Sequence, residues 1–399
     1  MELNPHMRYR SGAGGDRLSV LGYGCMRFSR KGMGIDIEKA TEELKCAIEG
    51  GVNYLDTAYI YPGSEAAVGK ILESTGLRDR VYIATKLPQY LIKSRAGIEK
   101  TFREELSRLR TDHIDYYLMH MITDVGSWRK LEALGIREWI AEKKKNGEIR
   151  HIGFSFHGST DIFLEVLSSY DWDFCQIQYN YMDEHSQAGR RGLEAAYAKG
   201  VPVIIMEPLR GGRLVSLLPK SAQARIAQSE RGYTAAQWAL NWLWDQPGVT
   251  CVLSGMNSVE MVRENLQSAA FAEVGMLTQD DQRLIDGLRS DLNGAIRVGC
   301  TGCGYCMPCP QGVDIPASFR CLNDIAVSGR FAALKSYWQV TAIRRVPGSA
   351  SRCIGCGKCE RHCPQGLPIR EKLKEAAREL EPPIYRLARR IVRLWKPWE

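Results

Sequence analysis

A chain of 399 residues is longer than one small domain and has room for a large barrel with a further domain. Its 44% hydrophobic and 25% charged residues are typical of globular proteins and exclude disordered, collagen-like and coiled-coil chains. The sequence has no uncharged apolar run of membrane-spanning length and no apolar segment after the first residues, so it predicts neither a transmembrane helix nor a secretory signal. We therefore expect a cytoplasmic protein whose thiols stay reduced.

Charge and cysteine content divide the chain near residue 295. Residues 296–399 carry 18 Lys and Arg against 8 Asp and Glu, whereas residues 1–295 carry 36 against 38. Nine of the 13 cysteines follow residue 299, and in a reduced compartment such density indicates metal rather than disulfides. We predict three parts: residues 1–295, a metal domain over 296–381 and a basic tail over 382–399. The basic residues are not interleaved with aromatics as in nucleic-acid modules, so no nucleic-acid partner is expected.

The first 295 residues alternate between strand-like and helical segments. Eight apolar, β-rich runs predict strands at Val20–Gly24, Tyr54–Asp56, Val81–Thr85, Ile114–Met119, His151–Ser155, Phe174–Tyr179, Val201–Met206 and Thr250–Ser254. Amphipathic segments predict helices at Glu38–Glu49, Glu65–Glu73, Ala96–Arg108, Trp128–Lys145, Asp161–Ser168, Arg190–Lys199, Ala235–Trp244 and Val259–Ala269. Strands that alternate with helices indicate parallel βαβ units. Eight such units predict a (β/α)8 TIM barrel of the α/β class.

Side chains suited to proton transfer follow three successive strands. Asp56 and Tyr61 follow the second strand, Lys86 the third and His120 the fourth. Active sites of such barrels lie at the C-terminal ends of the strands, so we expect these groups to converge. A phenol is a weak acid at neutral pH, but a nearby ammonium group lowers its pKa, so Lys86 would tune Tyr61 and Asp56 would hold Lys86. His120 would donate a hydrogen bond to a carbonyl oxygen, which predicts carbonyl reduction.

Each of these residues also has a structural interpretation. Taken singly, Asp56 could cap a helix, Lys86 could be solvated and His120 could be a satisfied core residue. Their occurrence at successive strand ends favours the catalytic interpretation.

The motifs NYLDTAYIYPGSE, ATKLP, IDYYLMH, GFS, QIQYN, MEPLRGG and SGMNSVEMVRENL occur in this order between Val20 and Ala270. Together they resemble the aldo-keto reductase family. The resemblance implies that NAD(P)H binds extended across the barrel mouth and that Tyr61 is the proton donor of a catalytic tetrad. The other tetrad members are Asp56, Lys86 and His120. The implied cofactor contacts are Gly24, Ser155, Gln176, Met206, Glu264 and Asn265.

The implied roles of the cofactor residues differ. Ser155 and Gln176 would bind the nicotinamide carboxamide, and Gly24 would lie near the cofactor backbone. Glu264 and Asn265 would contact the adenine, and Met206 stands where the family often stacks an aromatic ring on nicotinamide.

The sequence departs from the family pattern at four positions. Phe156 follows Ser155 where the family usually has Asn, and Met206 replaces the aromatic residue. Gly255 and Met261 stand where Lys and Arg commonly hold the 2′-phosphate of NADPH. The choice among NADP(H), NAD(H) and a flavin therefore stays open, with Arg263 as a substitute cation.

Two cysteine runs define the last hundred residues. The second run follows the bacterial ferredoxin pattern C-x2-C-x2-C-x3-C-P, and the first is one residue shorter before its last Cys. Two such runs predict two [4Fe–4S] clusters, with Cys363 crossing to the first cluster and Cys309 to the second. Zinc is the alternative, but it usually takes two separated pairs of ligands. The predicted ligands are Cys300, Cys303, Cys306, Cys309, Cys353, Cys356, Cys359 and Cys363.

Helical patterns lie between and after the cysteine runs. The segments Ile315–Ser328 and Phe331–Ile343 predict helices, and this long spacing resembles the α-helical ferredoxin-like module. After Pro382 and Pro383, the segment Ile384–Trp398 has apolar residues at helical spacing and a basic opposite side. We expect this tail to dock on its own domain or on a neighbouring chain, and contact with a membrane surface is the alternative.

Two functions stay open at this point. The first is an oxidoreductase that reduces a small carbonyl compound or a related molecule with NAD(P)H, coupled to one-electron transfer through the clusters and to a redox partner protein. The second is an electron-transfer or partner-binding protein whose barrel holds a flavin or another protein. A hydride carries two electrons and a cluster accepts one, so direct exchange normally needs a flavin. Structural or oxygen-sensing clusters are a third interpretation.

Overall fold

The computed structural model of the protein describes residues 4, 6–342, 348–385 and 389. The chain forms two compact units. The first comprises Met1–Pro208 and Gln237–Thr278, and the second comprises Leu209–Ala236 and Gln279–Glu399. The second unit thus contains the predicted metal domain together with a segment that follows the seventh barrel strand.

Eight parallel strands close into a barrel in which each strand pairs with the next along the chain and the last pairs with the first. This topology confirms the predicted TIM barrel. The strands are Leu21–Gly24, Tyr54–Asp56, Tyr82–Leu87, Ile114–Ile122, Ile149–Phe156, Phe174–Gln178, Val203–Met206 and Val249–Ser254.

Several helices between the barrel strands begin at capping residues that the sequence supplies. The side chains of Asp36, Ser94 and Ser258 each accept a hydrogen bond from a backbone N–H three residues further on. The helices are Ile37–Glu49, Ser64–Thr75, Arg95–Leu109, Val125–Ala133, Ile136–Lys145, Thr160–Ser168, Gly189–Ala198, Ala235–Trp244 and Val259–Ala269. Short 3-10 turns occur at Ala13–Gly15, Cys25–Arg27, Arg78–Arg80, Gln89–Leu91 and Ala350–Arg352.

One predicted helix was wrong. The amphipathic segment Trp128–Lys145 is not continuous, because one helix ends at Ala133 and the next begins at Ile136. Between them Gly135 adopts φ of +77°, a left-handed conformation that glycine takes without steric cost and that breaks the helical path.

An N-terminal hairpin covers the bottom of the barrel. Its strands, Tyr9–Ser11 and Arg17–Ser19, pair antiparallel, and Leu18 packs into the apolar barrel interior. Asp16 accepts a hydrogen bond of 2.9 Å from the Tyr116 hydroxyl, which ties the hairpin to the fourth strand. The hairpin closes the N-terminal end of the barrel, so polar chemistry is confined to the opposite end. A second small hairpin pairs Arg30–Lys31 with Gly34–Ile35.

The second unit is helical. Its helices are Arg213–Ser216, Lys220–Ala227, Gln279–Ala295, Ile315–Ser328, Arg330–Thr341, Lys358–Arg361 and Ile369–Leu380. The predicted helix Ile315–Ser328 is confirmed, and its N-cap Asp314 accepts from the Ala317 N–H at 3.1 Å. The next predicted helix is present as Arg330–Thr341, and Ile343 lies outside the described residues.

An apolar core joins the longer helices of this unit around Phe319, Leu322, Tyr337, Leu373 and Leu380. The predicted tail helix lies outside the described residues except at positions 384, 385 and 389. None of the helices in the described ranges combines the length and apolarity needed to cross a bilayer.

Candidate active site and cysteine cavity

The four predicted catalytic side chains meet at the C-terminal end of the barrel. Asp56 is the last residue of the second strand, Lys86 lies in the third strand and His120 in the fourth. Tyr61 lies in the loop between the second strand and the helix Ser64–Thr75, where it is half-buried. Adjacent parallel strands in register therefore bring together residues that are 64 positions apart at most in the sequence.

The Lys86 ammonium group is fixed by three oxygen acceptors. Both carboxylate oxygens of Asp56 lie 2.7 Å from Lys86 Nζ, and the carbonyl oxygen of Thr57 lies at 2.6 Å. The side chains of Lys86 and Asp56 are only 1% and 7% exposed. Because a buried charge needs both a counter-charge and saturated hydrogen bonding, this arrangement holds a positive charge in one position.

The Tyr61 ring is close to both this ammonium group and an imidazole. Lys86 Nζ is 5.2 Å from the centre of the Tyr61 ring. The rings of Tyr61 and His120 meet edge to face, with centroids 6.1 Å apart and an interplanar angle of 82°. The structure thus brings the predicted tetrad together in one cluster.

His120 is held as a neutral imidazole. Burial is the main cause that lowers its pKa well below the ordinary value, and the charge of Lys86 and the neighbouring His157 act in the same direction. Its Nδ1 atom is buried and has no hydrogen-bond partner within the described part of the chain. A neutral ring keeps one N–H for a polar oxygen without bringing a second cation next to Lys86.

Gln176 and Ser155 line the same end of the barrel, on the sixth and fifth strands. Gln176 Nε2 donates to Asp56 Oδ1 at 2.9 Å, while its Oε1 is buried without a partner among the described residues. Ser155 Oγ accepts from the Met121 N–H at 2.9 Å and keeps its own hydrogen to donate. One orphaned acceptor and one donor fit a primary carboxamide, which has both an N–H and a carbonyl oxygen.

The remaining predicted cofactor residues lie on the first, seventh and eighth βα units. Gly24 and Met206 end their strands. Asn265 Nδ2 donates to Ser254 Oγ at 3.0 Å and fastens the helix Val259–Ala269 to the eighth strand, and Glu264 is half-buried on that helix. Gly24 pairs with Asp56 of the tetrad across the first and second strands.

Sequence reasoning missed Arg27. A Cβ atom added at Gly255 would lie 3.3 Å from three carbons of the Arg27 side chain. The exposed Arg27 side chain therefore lies against Gly255, the position where the family commonly has a basic residue. No sequence signal could have revealed it, since the two residues are far apart along the chain.

A buried polar chain behind His120 was also missed. His157 Nδ1 lies 3.0 Å from Gln187 Oε1, and Gln187 Nε2 donates to Gln178 Oε1 at 2.7 Å. Gln178 Nε2 in turn donates to Asp183 at 2.9 Å. Burial lowers the pKa of His157 to about 4, although the bond to Gln187 opposes this shift.

Phe156 does not enter the site. Its ring packs against Phe163 with centroids 5.2 Å apart and against Phe154 at 6.4 Å. The residue that departs from the family pattern therefore belongs to the apolar layer between the fifth strand and its helix.

Four cysteines of the second unit line one cavity that is partly open to solvent. They are Cys300, Cys303, Cys306 and Cys363, so the last thiol of the second run joins the first three of the first run. Burial raises the pKa of Cys306 to about 12, and its three cavity neighbours add to the shift. Four thiols around one space fit the ligand set of a cubane cluster.

The apolar wall of this cavity comes from the helical core, through Ile315, Phe319, Leu367 and Ile369. In the described residues, no three Cys, His, Asp or Glu side chains converge as they would on a single ion. Thiolates of a cubane bind different irons and stand further apart than the four ligands of one zinc.

The other cysteines of the two runs lie nearby in the sequence and in the same core. Burial and the Glu360 charge raise the pKa of Cys359, and Cys353 contributes as a close neighbour. Cys309, Cys353 and Cys359 all pack against the apolar core of this unit. Cys356 is exposed.

Comparison with known proteins gives two domain matches. The model of the Aldo/keto reductase family matches residues 20–289, and that of a 4Fe-4S dicluster domain matches residues 299–367. An aldo-keto reductase of Mycolicibacterium smegmatis is 31% identical over 63% of this chain and 82% of its own. The uncharacterized oxidoreductase YqkF of Bacillus subtilis is 28% identical over 63% of this chain and 87% of its own.

Solved structures agree with the barrel. The holo form of an aldo-keto reductase from Bacillus halodurans has a TM-score of 0.57 at 26% identity, covering 71% of this chain and 96% of its own. An aldo/keto reductase from Klebsiella pneumoniae, solved with NADP and acetate, has a TM-score of 0.58 at 25% identity and covers 71% of this chain and 95% of its own.

Proposed function

The chain belongs to the aldo-keto reductase family, and we propose that it reduces a small carbonyl compound or a related molecule with NAD(P)H and is coupled to one-electron transfer through two [4Fe–4S] clusters. The observation that carries the proposal is the fixed Lys86 ammonium group beside the Tyr61 ring, with the neutral His120 imidazole packed edge to face against that ring.

Each residue of the tetrad has one task in this reaction. Tyr61 delivers a proton to the carbonyl oxygen, and the Lys86 charge stabilises the phenolate that remains. Asp56 keeps that charge in position. His120 donates a hydrogen bond to the same oxygen and orients the carbonyl carbon. When bound, NAD(P)H supplies the hydride.

Gln176 and Ser155 are proposed to orient the nicotinamide. The buried Oε1 of Gln176 would accept the carboxamide N–H, and the Ser155 hydroxyl would donate to the carboxamide oxygen. The Klebsiella pneumoniae relative was solved with NADP, which supports a phosphorylated cofactor here as well. Arg27 over Gly255 supplies a cation on this side of the barrel, and Glu264 and Asn265 stand on the neighbouring helix.

The cluster ligands are proposed to be exchanged between the two runs. Cys363 completes the first set with Cys300, Cys303 and Cys306, as the shared cavity supports. Cys309 then completes the second set with Cys353, Cys356 and Cys359. The clusters, when bound, each take up and release single electrons.

Substitution of the proposed proton donor tests the barrel chemistry. Tyr61→Phe should lower NADPH-dependent reduction of an aromatic aldehyde by about 10²–10⁴-fold, because the ring stays and only the acid is lost. Tyr59→Phe is the matched control, since its hydroxyl donates to Glu104 at 2.7 Å and not to the tetrad. Normal turnover by the Tyr61 variant would refute the assignment.

Anaerobic purification tests the cofactors. We expect about eight irons and eight sulfides per chain and no stoichiometric flavin. The competing function, a barrel that holds a flavin, predicts one flavin released on denaturation. The buried position of Phe156 removes one of the departures that motivated that alternative.

A further inference from the structure

The second cysteine run has an exposed edge. Cys356 is exposed, and the neighbouring Ile354 is 66% exposed, although isoleucine is usually buried. By contrast, Cys300 of the first run is buried, with 8% exposure. Among the eight proposed ligands, all within the described residues, only Cys356 is exposed, so the second cluster would present an exposed ligand to a molecule in solution.

This edge is also positively charged. Residues 351–370 contain four Lys and Arg and a single acid, Glu360. The Glu360 carboxylate is engaged by Arg370, through Nε at 2.8 Å and the backbone N–H at 2.8 Å. Lys358 and Arg361 are exposed, and neither forms an ion pair with a described residue. Their charges are therefore available to a partner.

We propose that this basic edge, formed by Ile354, Cys356, Lys358 and Arg361, is the docking surface for an acidic one-electron carrier protein. The inference rests on the proposed function, because it needs a cluster at Cys356. When a cluster is held at Cys356, the reduced carrier would lose one electron and that cluster would gain it, with no bond made or broken and no proton transferred. Electrons would thus reach the clusters from a protein outside this chain.

The charges and the apolar contact have separate tasks in this docking. Lys358 and Arg361 steer an acidic partner during encounter, which raises the association rate at low ionic strength. Ile354 gives the small desolvated contact beside the thiolate, across which the electron passes. Transient redox complexes use small interfaces of this kind, so a large apolar patch is not required.

Charge selects the occupant. A second copy of the chain meeting this edge symmetrically would bring two sets of like charges together, which is unfavourable. An anionic lipid surface would match the charge but would deliver no electron. An acidic carrier satisfies both the charge and the electron count.

The test measures the rate of cluster reduction in the full holoprotein. A dithionite-reduced acidic ferredoxin is mixed with it in stopped flow, and the visible absorption of the clusters is followed at several salt concentrations. The combined variant Lys358→Glu with Arg361→Glu is compared with the wild type. Lys145→Glu, an exposed charge reversal at the end of a barrel helix, is the control.

We expect the wild-type rate to fall as salt rises. The double reversal should be about tenfold or more slower at low salt and insensitive to salt, whereas Lys145→Glu should follow the wild type. Direct reduction by dithionite alone should be equal in all three proteins, which verifies that the clusters are intact. The milder pair Lys358→Gln with Arg361→Gln should fall between the two.

Three results would overturn the proposal. One is an unchanged carrier rate in the double reversal with intact clusters. Another is wild-type self-association, seen in sedimentation, that the reversal abolishes, because the occupant would then be a second copy. The third is binding to anionic vesicles without reduction by the carrier. A preparation without iron and sulfide would refute the proposed function itself, and so the two failures are distinguishable.

Discussion

Acidification tests whether His157 is held neutral beside the barrel site. The ring is 5% exposed, and burial lowers its pKa from the ordinary 6.5 to about 4. In the unfolded chain the ring regains its ordinary affinity for a proton, so below pH 6.5 the unfolded chain binds more protons than the folded barrel. The contribution of this group to stability is therefore complete above pH 6.5 and is lost as the pH falls towards 4.

The size of the effect follows from the shift. Lowering the pKa from 6.5 to about 4 corresponds to about 3 kcal/mol of folding free energy at pH values below both. Between pH 7 and pH 5, about 2 kcal/mol of this should be lost. The variant His157→Gln carries no titrating group and keeps a polar side chain for Gln187. Its stability should therefore fall by about 2 kcal/mol less than that of the wild type over the same interval.

Urea unfolding of the full chain at pH 7 and pH 5, followed by tryptophan fluorescence, measures this difference. His185→Gln removes an exposed imidazole and serves as the control, which should retain the wild-type pH dependence. Parallel pH dependence in the wild type and the His157 variant would mean that the ring is protonated in the folded barrel. The neutral state assigned to the imidazoles at this end of the barrel would then be untenable.

Three further substitutions test other parts of the structure. Gln176→Leu should weaken NADPH binding by about fivefold to thirtyfold, measured by quenching of protein fluorescence, because a buried acceptor for the carboxamide is lost. Gly153→Ala should destabilise the barrel by about 1–3 kcal/mol, since its Cβ would lie 2.6 Å from a carbonyl oxygen of the next strand, whereas Gly34→Ala meets no atom within 4 Å and should be neutral. Cys363→Ser should halve the iron content, because only the first cluster loses a ligand. Cys321→Ser, at a buried thiol outside both cysteine runs, should leave the iron content unchanged. Equal loss of both clusters in the Cys363 variant would contradict the exchanged ligand sets.

The barrel and its tetrad were predictable because each depends on local patterns. Every strand is a short apolar run, and Asp56, Lys86 and His120 each stand at the end of such a run, so the fold alone brings them together. The closure of parallel strands in chain order is then the expected topology for eight βα units.

Other features depend on contacts that the sequence does not encode locally. The hydrogen bond between His157 and Gln187 joins loops that are 30 residues apart in the sequence. The contact between Arg27 and Gly255 joins residues from the beginning and the end of the barrel sequence. The break at Gly135 was hidden because one glycine in a helical pattern costs only about 1 kcal/mol, which packing often overrides. Whether such a glycine ends a helix is decided by tertiary structure.

A buried cation lies beside the first cysteine set. Arg213 is 9% exposed, and its charge acts on the Cys300 thiol of that set. Because a reduced cluster is more negative than an oxidised one, this cation would favour reduction of a cluster held by the first set.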